Sequence, residues 1–405
     1  VSSAPAGRRV EVLRELPAIE ELGKLWEAMQ PAPDAMPDAY LTVLRARAGS
    51  SAPIVIALRD GPRLDALLVA RAEPVEVACR FGSRTVLRAR PRGVVVLAGG
   101  ALRRAPDVPW APLVAALAGL LRDGTARVVC VRKVGVDADL RRELRSVARG
   151  PWRSEADVPE LRWRLELPGS FDELMQRVNR HGRQKLKRYR KVLEREFPGR
   201  VVLHRTAEPG DVPAFCARAE KVARESYQRG LGAGFVHDTE REARLAAAAR
   251  AGRLRAFDLE VDGVPRAFWI TERSGDTLYV DSTAFDREFG RFEPGTVVLL
   301  ELLADAIREQ VRVIDYGFGD ALYKRRFDAA STLESDVYLF APGVRGLCLG
   351  AARGAVASLH RMADAVVTRL GLKDRLRRSM RDKARRQAAE ETDGGDEPKG
   401  GGEDA

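Results

Sequence analysis

The chain has 405 residues, 45% of them hydrophobic, and a formal net charge of +11. That length suggests two to three domains with ordinary packed cores. No run of eighteen uncharged apolar residues occurs, which excludes a transmembrane helix; the scattered Cys79, Cys130, Cys216 and Cys348 exclude a dense disulfide framework or metal-ligand spacing. The basic balance favours anionic partners such as phosphates, nucleic acid or an anionic membrane surface. A plain bias toward arginine explains it equally well, because ten of the 69 basic residues are lysine. The scattered His181, His204, His237 and His360 point to no metal site. Residues Val1 to Pro5 lack the charged and apolar regions of a signal peptide. Reduced thiols fit a cytoplasmic protein.

In chain order, residues 10–150 read as one α/β unit. Helices are expected at Ile19 to Met29 and Ala39 to Arg47, strands at Ile54 to Leu58, Leu67 to Val69, Thr85 to Leu87 and Val94 to Leu97. Trp110 to Leu121 is an apolar helix and Ala126 to Val131 a buried-type strand. Gly150-Pro151 marks a boundary. The second unit, 151–342, opens with an alternating strand at Leu161 to Leu167. Ser170-Phe171-Asp172-Glu173 is a capping box, and the helix it starts is expected to run to Phe197 with Leu174, Val178, Leu186 and Leu193 in one stripe. Strands follow at Val201 to His204, Leu254 to Val261, Arg266 to Glu272 and Thr277 to Ala284. Asp262-Gly263 and Ser274-Gly275-Asp276 serve as hairpin turns. Next come the helix Thr296 to Glu309 and strands at Val311 to Ile314 and Val337 to Phe340. Both halves run helices, strands, helix, strand, which is compatible with a duplicated fold. A basic helical extension is expected over 343–387 and a disordered acidic, glycine-rich tail over 388–405.

The densest chemistry lies at Asp315 to Phe327, which packs two glycines, acids, tyrosines, a lysine and two phenylalanines behind a short strand. Upstream, Arg291-Phe292-Glu293-Pro294-Gly295-Thr296 opens an apolar helix. A glycine turn into a helix, then a strand, then a reactive loop suggests an anion-binding donor site beside a chemical site. The meander–helix–strand order over roughly 160–340 resembles the acyl-CoA N-acyltransferase fold of the GNAT superfamily. Gly319-Asp320-Ala321-Leu322-Tyr323-Lys324-Arg325-Arg326-Phe327 is similar to the Gly-Asp-x-x-Tyr-Lys-x-x-Phe ending of the CelD/BcsL-type acetyltransferases, its BioF-like branch. The Fem-type aminoacyltransferases have a related lysine-containing motif and two tandem domains.

The resemblance implies an α/β fold of tandem GNAT-like domains, each a mixed, mostly antiparallel sheet flanked by helices. It implies acetyl-CoA or another acyl-CoA as donor and a sugar, amine or envelope-precursor acceptor, with no metal and no DNA partner. The amides of Gly295, Thr296 and Val297 would cradle the pyrophosphate, with Arg291 beside them. Acyl transfer needs a proton acceptor, an acid for the departing thiolate and charge stabilisation. Asp320, Tyr323 and Lys324 suit these roles, with Asp281 a second base. Arg180, Arg183 and Lys187 on a basic helix, with Tyr316, suit an anionic acceptor. The basic C-terminal helix suits an anionic membrane surface or a solvated tail equally. An aminoacyl-tRNA-dependent transferase and a non-catalytic scaffold are the alternative functions.

Overall fold

Alternating apolar strands joined by tight turns build one large sheet in the computed structural model, which describes residues 7–81, 84–148, 150–155, 159–226 and 234–369. The chain falls into two compact units, Val1–Val77 with Ala89–Gly350, and Ala78–Arg88 with Ala351–Ala405. In chain order, β1 (Arg8–Leu13), α1 (Leu16–Glu27) and α2 (Pro37–Ala46) precede a meander of β2 (Ala52–Asp60), β3 (Arg63–Pro74) and, after the hairpin β4 (Val77–Phe81) and β5 (Arg84–Ala89), β6 (Arg92–Arg103). Then come α3 (Ala111–Arg122), β7 (Val128–Gly135), α4 (Asp139–Val147), β8 (Arg153–Glu155) and β9 (Glu160–Glu166). Helices α5 (Phe171–Gln176) and α6 (Arg180–Glu196), strand β10 (Val201–Thr206), α7 (Val212–Arg224) and α8 (Thr239–Arg250) follow. A second meander is β11 (Leu254–Val261), β12 (Val264–Ser274) and β13 (Thr277–Phe285). It leads to α9 (Pro294–Arg308), β14 (Val313–Phe318), the short α10 (Leu322–Arg325), β15 (Ala330–Phe340) and α11 (Val344–Arg369).

The sheet runs β1-β2-β3-β6-β7-β15-β9-β14-β13-β12-β11-β10, with β8 on β15. Among the described residues the parallel pairs are β6·β7 and β13·β14; each is bridged by a helix, α3 or α9, as a parallel crossover requires. The duplicated order expected from the sequence is therefore present: meander, helix, parallel strand, twice. The α3 side of the first half is packed by Leu113, Val114 and Leu117 on Ile54, Leu68 and Val96. In the second half α9 lays Val298, Leu302 and Leu303 on Leu259, Trp269 and Ile314. In the second unit the β4–β5 hairpin meets α11 through Arg353, whose Nη1 donates to the Ala78 carbonyl at 2.6 Å. The rest of the expected basic extension and the acidic tail, residues 370–405, lie outside the described residues.

The two halves meet within the sheet. Strand β15, from the end of the second half, pairs with β7, β8 and β9. The division expected at Gly150-Pro151 thus falls between strands that share a partner. Arg141 of α4 fastens this seam. It is 1% exposed, and its guanidinium donates to the carbonyls of Val134 (2.5 Å), Gly135 (2.9 Å) and Ser335 (3.0 Å) and to Ser335 Oγ (2.8 Å).

One expected helix is broken. The stretch 171–197 divides at Arg177 to Asn179, because Asn179 Oδ1 accepts from the Gly182 amide (2.8 Å) and starts a new helix, while Ser170 Oγ caps the first from Glu173 (3.2 Å). Helices α4 and α8 and strand β1 were not anticipated.

Replacing Arg141 by Leu strips charge-assisted donors from buried carbonyls. Arg141→Leu is expected to lower stability by about 3 kcal/mol. Urea unfolding should show this as a lower midpoint with an unchanged slope.

Candidate active site

The site begins where two parallel strands part. β13 and β14 are paired only at Thr277↔Val313, Leu278↔Ile314 and Tyr279↔Asp315. Beyond that row the strands diverge, and a cleft of ≈ 940 Å³ opens between them. Each strand carries a bulge at the parting. On β13, Ile270 faces Ser282 and Thr271 faces Val280, so Asp281 is the extra residue. On β14, Asp315 faces Arg164 and Gly317 faces Trp163, so Tyr316 is the extra one. Bulges raise local twist and re-aim side chains. Gly317 adopts φ 65°, a left-handed conformation that suits glycine, and its amide donates to Asp315 Oδ1 at 2.9 Å.

The structure brings Asp281, Gly295, Thr296, Tyr316, Asp320, Tyr323 and Lys324 to the walls of this cleft. It places Arg291 outside it, exposed and stacked on Phe292 at 4.5 Å. Val297 is in the core. Arg180 and Lys187 are exposed and Arg183 half-buried on α6. Beside the start of α6 lies a separate hollow of ≈ 440 Å³ with Arg177 and Lys185 in its walls; Arg326 borders both it and the main cleft.

Lys324 is 4% exposed. Its ammonium donates to the carbonyls of Tyr316 (2.9 Å), Gly317 (3.4 Å) and Phe318 (2.6 Å). It therefore caps the end of β14 and fixes the strand's exit. Burial pushes its pKa down to about 8, against the pull of Asp315 and Asp320. Asp320 sits half-exposed at the mouth in a two-pronged pair with Arg325. Tyr323 is half-buried, its ring edge-on to Trp269 (5.2 Å) and Tyr316 (5.7 Å). Asp281 is exposed at its backbone, while its side chain is 20% exposed and accepts from Arg241 at 2.6 Å.

The turn before α9 is occupied by the protein's own carboxylates. Asp286, 3% exposed, accepts from the amides of Glu288 (2.9 Å) and Phe289 (3.4 Å) and pairs with Arg266 (2.5 Å). Glu293 stands in a left-handed conformation at the helix start (φ 52°). Its carbonyl takes the amides of Thr296 (3.0 Å) and Val297 (3.1 Å), and its carboxylate takes Thr296 Oγ1 (2.9 Å). Two of the three amides expected to hold a pyrophosphate, those of Thr296 and Val297, are thus spent on the Glu293 carbonyl. Trp269, Leu299 and Tyr323 line the same cleft and offer an apolar wall to a donor arm.

Sequence reasoning missed the charged frame. Arg162 and Arg164 of β9 converge on Asp315, at 2.8 and 3.0 Å. On the other wall Arg244 of α8 reaches Asp34 (3.0 Å), Glu272 (3.8 Å) and Asp281 (3.8 Å). Glu272 is 2% exposed, and burial pushes it up to about 7, opposed by Arg244 and helped by Asp281. A carboxylate ending the apolar run Ala267 to Thr271 was the available signal. Among the described residues no cluster has the makings of a metal site, and no helix is long and apolar enough to cross a membrane.

This is a mixed α/β architecture with the GNAT fold, and its order of meander, helix and parallel strand occurs twice. The family model described as an acetyltransferase (GNAT) domain matches residues 180–325. Among solved structures, FemX superposes with a TM-score of 0.55 at 11% identity, over 82% of this chain and 97% of that one. The C-terminal domain of a protein named as a lysylphosphatidylglycerol synthetase from Agrobacterium fabrum gives 0.51 at 11% identity, over 87% and 97%. L-PGS from Bacillus licheniformis gives 0.50 at 12% identity, over 82% and 96%. No curated protein sequence matches the chain.

Two outcomes follow for variants in this frame. Lys324→Met leaves three strand-end carbonyls without their donor, so its melting temperature should fall along with any activity; differential scanning calorimetry reads the first directly. Glu272 binds its proton more tightly in the fold than in the unfolded chain. Its contribution is therefore full below about pH 4.5 and lost as pH rises through about 7. Glu272→Gln should remove that part of the pH dependence, so the variant gains stability relative to the parent between pH 5 and pH 8.

Proposed function

We propose that this protein transfers an acyl group from acetyl-CoA or another acyl-CoA directly to an amine or hydroxyl of a sugar or envelope-precursor acceptor. The observation that carries this reading is the parting of β13 from β14 after three paired residues. It opens one cleft with a partly apolar wall for a donor arm and a charged wall for an acceptor. Holding both in one cleft replaces a bimolecular encounter with an oriented one. The acceptor nitrogen or oxygen attacks the carbonyl carbon, forming the new C–N or C–O bond as the C–S bond breaks. The acceptor's proton passes to a carboxylate, and the departing sulfur takes a proton from Tyr323. Asp281 is the better-placed carboxylate, since it lies on the bulge at the parting, while Asp320 is held at the mouth by Arg325. Lys324 fixes the strand end that shapes the cleft, and its charge stabilises negative charge developing nearby.

A second reading has one observation in its favour. Asp286 and Glu293 occupy the turn before α9, which suits a donor without a diphosphate at that point, such as an aminoacyl ester of tRNA. The net charge of +11 suits such a donor too. The basic segment over 343–387 is proposed as a peripheral contact with an anionic membrane.

Thermal stabilisation separates the readings. A ligand at a hundred times its dissociation constant adds about 2.7 kcal/mol. Coenzyme A should raise the melting temperature of the parent, and Gly295→Trp should fold yet lose that shift. Stabilisation by charged tRNA alone would replace the thioester donor with the ester. Stabilisation by neither would point to a scaffold. Once a substrate pair is in hand, Asp281→Asn should reduce turnover about 10²–10⁴-fold, and Asp320→Asn far less.

A further inference from the structure

The hollow of ≈ 440 Å³ beside the start of α6 carries charge of one sign. Arg177, Lys185 and Arg326 line it, and no carboxylate does. None of the three has a carboxylate partner among the described residues. Arg177 Nη1 donates to the Glu166 carbonyl at 2.7 Å, Lys185 lies 5.8 Å from the centre of the Tyr189 ring, and Arg326 Nη1 reaches Thr296 Oγ1 at 3.5 Å. The main cleft differs, because its basic and acidic side chains balance. Like charges gathered in one concavity focus the field and raise the local concentration of an anion. The sequence pointed to Arg180, Arg183 and Lys187 for an anion, but the fold turns Arg177 and Lys185 to the hollow instead.

We propose that this hollow binds a phosphate group of a substrate seated in the main cleft, with Lys185 and Arg326 as its contacts. Arg326 borders both spaces and so joins them. Through Thr296 it stands at the start of α9, where two backbone amides are already spent on the Glu293 carbonyl. A phosphate near that turn therefore finds cationic donors on the side of the hollow. The chemistry suits a phosphate: its oxygens are acceptors, a guanidinium meets two of them at once, and an ammonium adds a point charge. Three cations also match a group with more than one negative charge. The site rests on the acyl-transfer reading for the identity of the molecule that carries the phosphate, which is either the donor or the acceptor.

The probe is inorganic pyrophosphate, titrated calorimetrically into the full chain and three variants. Lys185→Glu and Lys191→Glu make the same charge change at exposed positions of α6, but Lys185 lines the hollow and Lys191 does not. The parent should bind pyrophosphate. Lys185→Glu and Arg326→Gln should each lower the affinity about tenfold or more, the worth of one charge-assisted hydrogen bond, while Lys191→Glu matches the parent. A parent that does not bind it, equal losses in Lys185→Glu and Lys191→Glu, or an unchanged Arg326→Gln overturns the site. Coenzyme A and pantetheine, which lacks the phosphates, then identify the carrier. If Lys185→Glu weakens coenzyme A and spares pantetheine, the donor brings the phosphate into the hollow. If it weakens pyrophosphate but not coenzyme A, the acceptor brings it and the site stands. A parent that binds pyrophosphate but not coenzyme A keeps the site and sinks the thioester reading alone.

Discussion

The cleft depends on one buried carboxylate. Asp315 is 1% exposed and stands on the last row at which β13 and β14 are paired. It gathers Arg162, Arg164 and the Gly317 amide. A lone carboxylate so deep would cost several kcal/mol, and the two guanidiniums together with the amide offset that cost. Arg162 also reaches Glu334 of β15 at 3.3 Å. A single side chain of β9 therefore ties together the strands on either side of it. With β14 fixed in this way below the parting and Lys324 fixing it above, β13 and β14 are free to diverge without the sheet fraying.

The charge on the cleft is balanced. Five basic and five acidic side chains line it, so the excess of +11 resides elsewhere. Its charges are paired and oriented, beside the aromatic wall of Trp269, Tyr316 and Tyr323.

Where a residue's role follows from its own neighbours in sequence, the chain was readable. The strands β11 to β13 were expected from alternation and from the turns at Asp262-Gly263 and Ser274-Gly275-Asp276, and they form with nearly those limits. The apolar helices α3 and α9 were equally plain. Elements with a thin apolar signal escaped: α4 turns Leu140, Leu144 and the whole of Arg141 inward, and α8 is an alanine run among charges. The reactive loop after β14 was legible as a cluster, and its residues do reach one cleft. What the pattern did not carry was the partner of each. Asp320 meets Arg325 five residues on, but Asp281 meets Arg241, and Asp315 meets Arg162 across 153 residues. The bulges at Asp281 and Tyr316 have no local signature, because they arise from register between strands.

The placement of β15 has a consequence for synthesis on the ribosome. This strand fills the middle of the sheet, yet it emerges long after its partner β7. Its partner β7 ends at Gly135 and β15 begins at Ala330. At 5–20 residues per second, the nascent first half waits roughly 10–40 s for that strand. Throughout that interval β7 is an open edge, with Val129 and Val131 beside an unpaired backbone. Such an edge is a template for pairing with another chain. The nascent chain is thus most exposed to aggregation between the release of β7 and the arrival of β15, and a chaperone that shields strand edges would act on it there.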